Sequence, residues 1–437
     1  MKKLLFLWGE LISTFWFIPV LIIITAIGLA VGLIYIDSVT DVGHEKLGIY
    51  LITSSAESAR SILSVISAAM IGVAGTVFSL TLVALSLASN QFGSRLLKNF
   101  MYARVNQVVI GTYVSTFVYC LIVLNSVKGI NDLDFVPSFS VMFAIVAAVA
   151  NILLLIVFIH HTAVSIQADN VIANISHSIS GNVKKLFPEE LGHEHVEEEK
   201  QDEEELKSRL RYKNNIQVNK SGYLQYVDGD SFLKFSIKHN AMIELQHRPG
   251  DYMVAGMNLA VIHSEKEIGK KEIKRCNSYY ITGYIRTAQQ DTEHLINQMV
   301  EIACRALSPG INDPFTAIAC IDNLTSTLCH LAGVKFPSRY RYDDEKNLRL
   351  ITRPLTYAGL LDAAFNQIRQ LGKTIPAVMI RLMEAMIIIN GFVKTQAQIQ
   401  GIRKHARMIL NAAERMFEEP NDLKDLNERS KMIFGSR

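Results

Sequence analysis

From Ser61 to Ser94 the chain carries no charged side chain, and it sets Ser61, Ser64, Ala68, Gly72, Gly75, Ser79, Ser86 and Asn90 at helical spacing. Steps of three, four and seven residues put all eight on one stripe of a helix. A run this long and apolar crosses a bilayer. A stripe of Ser, Gly and Ala in lipid serves one of two ends: it lets another helix approach closely, or it lines a wet path. In the second case Phe78, Leu82 or Leu85 is the expected hydrophobic constriction, closing by dewetting.

Of the 437 residues, 49% are hydrophobic and 19% charged. The apolar excess lies before residue 168, so a membrane half precedes a soluble half. A formal net charge of +3 is too small to argue for nucleic acid, and no basic stripe interleaves with aromatics. Cys120 falls in a membrane segment. Cys276, Cys304, Cys320 and Cys329 show neither CxxC spacing nor paired histidines, so they read as reduced core residues of a cytosolic body. The start, Met-Lys-Lys followed by apolar sequence, raises a signal peptide. The uncharged run from Leu11 to Ile36, entered through Glu10, is too long for one and reads as a retained span.

Four spans are expected, at about 11–36, 61–90, 105–127 and 135–159. Lys2, Lys3, Arg95, Lys98 and Arg104 fall at the amino end and in the second connection. Asp37, Asp41, Glu45, Glu57, Asp132 and Asp134 dominate the first and third. The positive-inside rule then puts both termini of an inner-membrane protein in the cytoplasm. Trp8, Trp16, Tyr35, Tyr102 and Tyr119 are candidate interface anchors, with Trp16 and Tyr119 deep enough to pack between helices instead. The second span exceeds the roughly 20 residues a bilayer needs. It must tilt, break near Gly72 and Gly75, or protrude, and the polar Ser86, Ser89, Asn90 and Gln91 favour protrusion. At the end of the fourth span His161, Ser165 and Asp169 step by four beside His160. They are either interfacial polar residues or a proton- or ion-responsive group.

Residues 169–215 read as a helical and acidic linker, in which His193 and His195 sit among glutamates too loosely for a defined metal site. Residues 216–286 alternate like strands of a small β-barrel or sandwich, with Pro249-Gly250-Asp251 as a turn and Asp230 capping a short helix from Ser231 to His239. Residues 287–437 read as a helical bundle. In it Asp313-Pro314 starts a helix to about Leu331, and helices are expected over Pro354–Leu371, Pro376–Thr395 and Ile399–Phe417. The Pro376 helix is apolar nearly all round and must be central or at a subunit interface. No Gly-rich phosphate loop, HExxH or nucleophile–base pattern occurs, so neither cofactor nor metal nor enzymatic activity is expected.

The run Arg305-Ala-Leu-Ser-Pro-Gly-Ile-Asn-Asp-Pro-Phe-Thr-Ala combines two prolines and a glycine between two helices. It is either a rigid connector, with Asp313 as cap and Arg305 as its ion-pair partner, or a ligand or docking loop presenting Arg305, Ser308, Gly310, Asn312 and Asp313. Arg286 and Asp291 form a second polar cluster, close enough in sequence to join it.

With Phe78-Ser-Leu-Thr-Leu-Val-Ala-Leu-Ser-Leu-Ala-Ser-Asn-Gln-Phe-Gly-Ser-Arg, Ser221-Gly-Tyr and Arg286-Thr-Ala-Gln-Gln-Asp, the Arg305–Ala317 run resembles the bacterial family of membrane proteins catalogued as domain of unknown function 2254. The resemblance covers nearly the whole chain and implies four amino-terminal spans and a cytosolic carboxyl-terminal half. It carries no activity. The expected function is a homo-oligomeric channel with the second helix near the axis. The alternative is a membrane-anchored sensor or scaffold that binds a small ion, ligand or protein through the soluble half.

Overall fold

The computed structural model describes residues 14–39, 55–93, 104–127, 135–186 and 203–435. The readings placed on Lys2, Lys3, Trp8, Glu10, Asp41, Glu45, Arg95, Lys98, Tyr102, Asp132, Asp134, His193 and His195 lie outside them. The chain divides into two compact units, Met1–Asn170 and Val171–Arg437.

In the first unit, α1 (Phe17–Val39), α2 (Ala56–Phe92), α3 (Arg104–Ser126) and α4 (Ser138–Ser165) are each long and apolar enough to cross a membrane. Helix α2 starts at Ala56 rather than Ser61, because the Ser55 hydroxyl accepts the Ser58 N–H and Glu57 sits in the first turn. It runs unbroken past Gly72 and Gly75 for roughly 55 Å at 1.5 Å per residue, which rules out the break.

Helix α3 packs on α1, α2 and α4 and buries Val109, Tyr113, Tyr119, Cys120 and Val123. Hydrogen bonds between helices satisfy polar groups that lipid cannot. Tyr113 Oη donates to the Asn151 carbonyl at 2.7 Å, Asn151 Nδ2 to Thr116 Oγ1 at 2.8 Å, and Tyr119 Oη to the Ser140 carbonyl at 2.9 Å. Tyr119 is therefore an internal residue, its ring tilted against that of Phe143 with centroids 5.1 Å apart, whereas Trp16 and Tyr35 are exposed.

Gly111 lets α3 approach α1. A Cβ there would lie 2.9 Å from Ile22 Cδ1 and 3.0 Å from Pro19 Cα, and only the first of these can rotate aside. Gly111→Val is expected to splay the two helices and cost about 1–3 kcal/mol. An SDS titration of the full chain from detergent micelles checks this against Gly28→Val, whose side chain meets nothing within 4 Å. Equal midpoints for the two variants would remove the close crossing.

The second unit takes in most of α5 (Ala168–Leu186), then α6 (Glu203–Arg209), and carries two sheets. Its strands are β1 (Tyr212–Gln217), β2 (Gly222–Val227), β3 (Ala241–Leu245), β4 (Tyr252–Met253), β5 (Asn258–Ser264), β6 (Tyr280–Gly283), β7 (Tyr340–Tyr342) and β8 (Leu348–Ile351). They order as β1-β5-β3-β8-β7 and β4-β2-β6. The sheets share one apolar core with α7 (Gly229–Lys238), including Leu224, Phe232, Phe235, Ile243, Leu259 and Ile262. They do not close, so the barrel expectation fails. β8 joins β3 in parallel, Ile243 opposite Leu350, so the region expected to be wholly helical supplies two strands to this sheet. Both are short, of three and four residues, and each contains an arginine, so neither carries a strand signal in the sequence. Asp228, not Asp230, caps α7, accepting from the Ser231 N–H and hydroxyl.

The remaining helices are α8 (Lys270–Arg275), α9 (Thr292–Ala306), α10 (Pro314–Ala332), α11 (Tyr357–Gly372), α12 (Pro376–Asn390), α13 (Gln396–Met416) and α14 (Pro420–Phe434). The apolar α12 is central, packed on α10, α11, α13 and α14 with Val378, Leu382, Met386 and Ile389 buried. It ends at Asn390, before the expected Thr395, because Thr395 and Gln398 form the capping box of α13. Helix α14, not foreseen, is opened by Glu419 and Pro420.

Candidate functional site

On α2 the buried side chains include Ala59, Leu63, Ser67, Met70, Ala74 and Val77, at steps of three and four. At 100° per residue the small-residue stripe falls on the opposite side. Ser61, Ser64, Ala68, Gly72, Gly75, Ser79, Ser86 and Asn90 are all exposed in one copy of the chain. Outside its own helix, no described atom comes within 4 Å of where a Cβ would sit on Gly72 or Gly75. The Ser79 hydroxyl turns back on the Gly75 carbonyl at 2.9 Å. Among the described residues, then, the stripe is not a packing face within one subunit. The expected constriction shares it only in part: Leu82 lies at the stripe's edge, in line with Ser64, whereas Phe78 and Leu85 lie roughly 90–110° round the helix from its centre. That separation is readable in the residue numbers alone.

At the end of α4, His160 and Asp169 are exposed, and Ser165 bonds to the His161 carbonyl at 2.6 Å. The helix stops at Ser165 and α5 starts at Ala168, so His161, Ser165 and Asp169 do not continue one helical face. Among the described residues no group of three or more His, Cys, Asp or Glu could hold a metal.

In the second unit the two polar clusters do not join. They bracket α9, a 15-residue helix roughly 22 Å long. At its start Asp291, 5% exposed, accepts the His294 N–H and is gripped by Arg286, Nε at 2.8 Å and Nη2 at 2.7 Å. Burial pushes the Asp291 carboxyl up from its ordinary range while Arg286 pulls it back. Gly250, at φ +101°, lies directly on this pair.

At the far end of α9 the chain turns through Ser308–Asp313. Ser308 Oγ donates to the Arg305 carbonyl, Asn312 takes φ +49°, and the Asp313 N–H closes on the Ala306 carbonyl at 2.8 Å. Asp313 caps α10 through the Thr316 N–H and hydroxyl, and that hydroxyl, first among the causes, holds its carboxyl below the usual range. No ion pair joins Arg305 to Asp313, so the connector has its cap but not the expected salt bridge. Gly310 is free of close neighbours, and the loop presents Ile311 and Phe315, the latter 83% exposed.

A feature not foreseen from the sequence lies beside Asp291. A cavity of about 210 Å³ is bounded by the loop after β3, the starts of α7 and α9, and the segment after β8. Its side chains come from positions up to 128 apart, Val227 to Leu355, in segments that no local motif links.

Four long apolar helices joined to an α+β unit define a multi-pass membrane protein. The chain belongs to the family described as Predicted membrane protein (DUF2254), whose model matches residues 12–387. An uncharacterised protein of Mycobacterium tuberculosis (strain CDC 1551 / Oshkosh) is 32% identical over 370 residues, 83% of this chain and 70% of the relative. Uncharacterised proteins of Mycobacterium bovis (strain ATCC BAA-935 / AF2122/97) and Mycobacterium tuberculosis (strain ATCC 25618 / H37Rv) are each 31% identical over the same shares. No solved structure matches the chain significantly.

Proposed function

We propose that the protein is a homo-oligomeric pore of the bacterial inner membrane, in which α2 of each copy turns its small-residue stripe toward a common axis. The observation that carries this reading is the exposure of the whole stripe opposite the face that α2 buries in its own bundle. Glycine and serine give lipid little to bury. They favour close helix approach or contact with water. The stripe carries no charge, so weak ion selectivity is expected. The charge bias of the connections supports cytoplasmic termini and a cytoplasmic α+β unit.

Reconstitution of the purified protein in liposomes tests the reading, beside Gly75→Leu and Ser79→Phe with unchanged assembly. The expected result is stepped conductance that both variants reduce at least severalfold. Silence across voltage, membrane tension and pH would transfer the reading to an anchored sensor or scaffold, in which α2 only associates.

A further inference from the structure

We propose that the cavity beside Asp291 binds a small organic anion, a carboxylate or phosphate carried on an apolar body. The inference goes beyond the pore reading and holds whether or not α2 lines a conduit. The cavity's volume of about 210 Å³ equals roughly seven waters at ~30 Å³ each, room for one small molecule. Its walls are mainly apolar, with Leu245, Leu350 and Leu355 among them.

Arg248, Arg341 and Arg353 reach the cavity from three separate segments, with His247 beside them, and Arg341 already donates to the Tyr340 carbonyl. Against them stand two carboxylates, Asp291 and Glu293, both engaged: Asp291 by Arg286 and the α9 cap, Glu293 by Arg248. His247 faces Asp251 at 3.3 Å. Arg353 Nη1 donates to a neutral partner, the Gln246 carbonyl, at 3.0 Å. That arrangement leaves its charge available to a ligand at the cavity mouth. Two helix starts border the same space, α7 through Gly229 and α9 through Thr292, each already capped by its own aspartate, so the charge offered to a ligand is that of Arg353. Guanidinium forks suit planar carboxylates and phosphates, and the leucines would bury the remainder.

Isothermal titration of the full chain in detergent micelles, with phenyl phosphate and with benzoate, tests the site. Inorganic phosphate and benzyl alcohol serve as the separate halves. The expected result is saturable binding of one ligand per chain for at least one of the two amphiphilic anions, tighter than for either half. Arg353→Ala, an exposed position, should weaken it about tenfold, the worth of one charge-assisted hydrogen bond. Leu355→Trp should block it by filling the space, while Arg407→Ala, away from the cavity, leaves it unchanged. Absence of saturation by both anions up to about 10 mM, the range of a very weak site, overturns the proposal. So does binding that is indifferent to Arg353→Ala.

Discussion

Replacing Gly250 with alanine is expected to destabilise the α+β unit by about 4 kcal/mol, a fall of roughly 10 °C in its unfolding midpoint. Two effects add. At φ +101° the residue sits where L side chains are strained, and its new Cβ would overlap Asp291 Oδ2 and lie 2.8 Å from Asp291 Cγ and 3.0 Å from Arg286 Nη2. The turn has little freedom to yield, because the Gly250 N–H bonds the Leu224 carbonyl at 2.8 Å and the Asp251 carbonyl accepts the Leu224 N–H at 2.9 Å. Asp291 would have to move instead, and it both caps α9 and holds Arg286. Gly256→Ala isolates the contact: at φ +89° it carries comparable backbone strain, with nothing within 4 Å of the added methyl. Urea unfolding of the full chain in micelles, followed by amide exchange of residues 286–306, should show the Gly250 variant losing at least twice as much stability as the Gly256 variant. Equal losses would mean that the turn does not brace Asp291.

This contact also marks where sequence reading stops. Pro249-Gly250-Asp251 is legible as a turn from its residue types, and Asp313-Pro314 as a helix start, because each signal is local. The four apolar helices are legible for the same reason, since length and composition alone license a span. The stripe on α2 is legible as a face, but the side of the bundle it occupies is not. That depends on which other residues of α2 meet α3, and only the packed helices show Ala59 to Val77 taking that role. Strand β8 is not legible because its apolar partner lies about a hundred positions earlier, Leu350 against Ile243, and β7 is three residues with Arg341 at their centre that pair with β8. The Arg286 and Asp291 cluster was found by residue type. Its cavity was not, because the arginines that complete it belong to a loop and two short segments without periodicity. Turn and helix-start signals are local and so legible to within a residue or two, as Asp228 in place of Asp230 shows, while juxtaposition over long separations requires the fold.

The same distinction predicts the largest effect in the membrane unit. Asp37, in the last turn of α1, reads in sequence as one acid among several at a connection. In the fold it caps another helix: Oδ1 accepts the Phe139 N–H at 3.0 Å, and Oδ2 accepts the Ser140 N–H at 3.1 Å and the Ser140 hydroxyl at 2.6 Å. Helix α4 needs this carboxylate because its own N-cap residue is Pro137, which has no side-chain acceptor. A negative charge at a helix start gains further from the dipole. The Ser140 carbonyl in turn accepts from Tyr119 of α3, so Asp37 steadies a joint of three helices. Asp37→Ala strands three donors at the start of an apolar helix and should cost about 2–4 kcal/mol. Asp37→Asn, which keeps one oxygen to accept and turns the other group into a donor facing donors, should lose about half as much. The SDS-unfolding midpoint should therefore rank wild type above Asn above Ala, with amide exchange rising first at residues 138–145. An alanine variant as stable as wild type would show that α4 takes its cap from elsewhere.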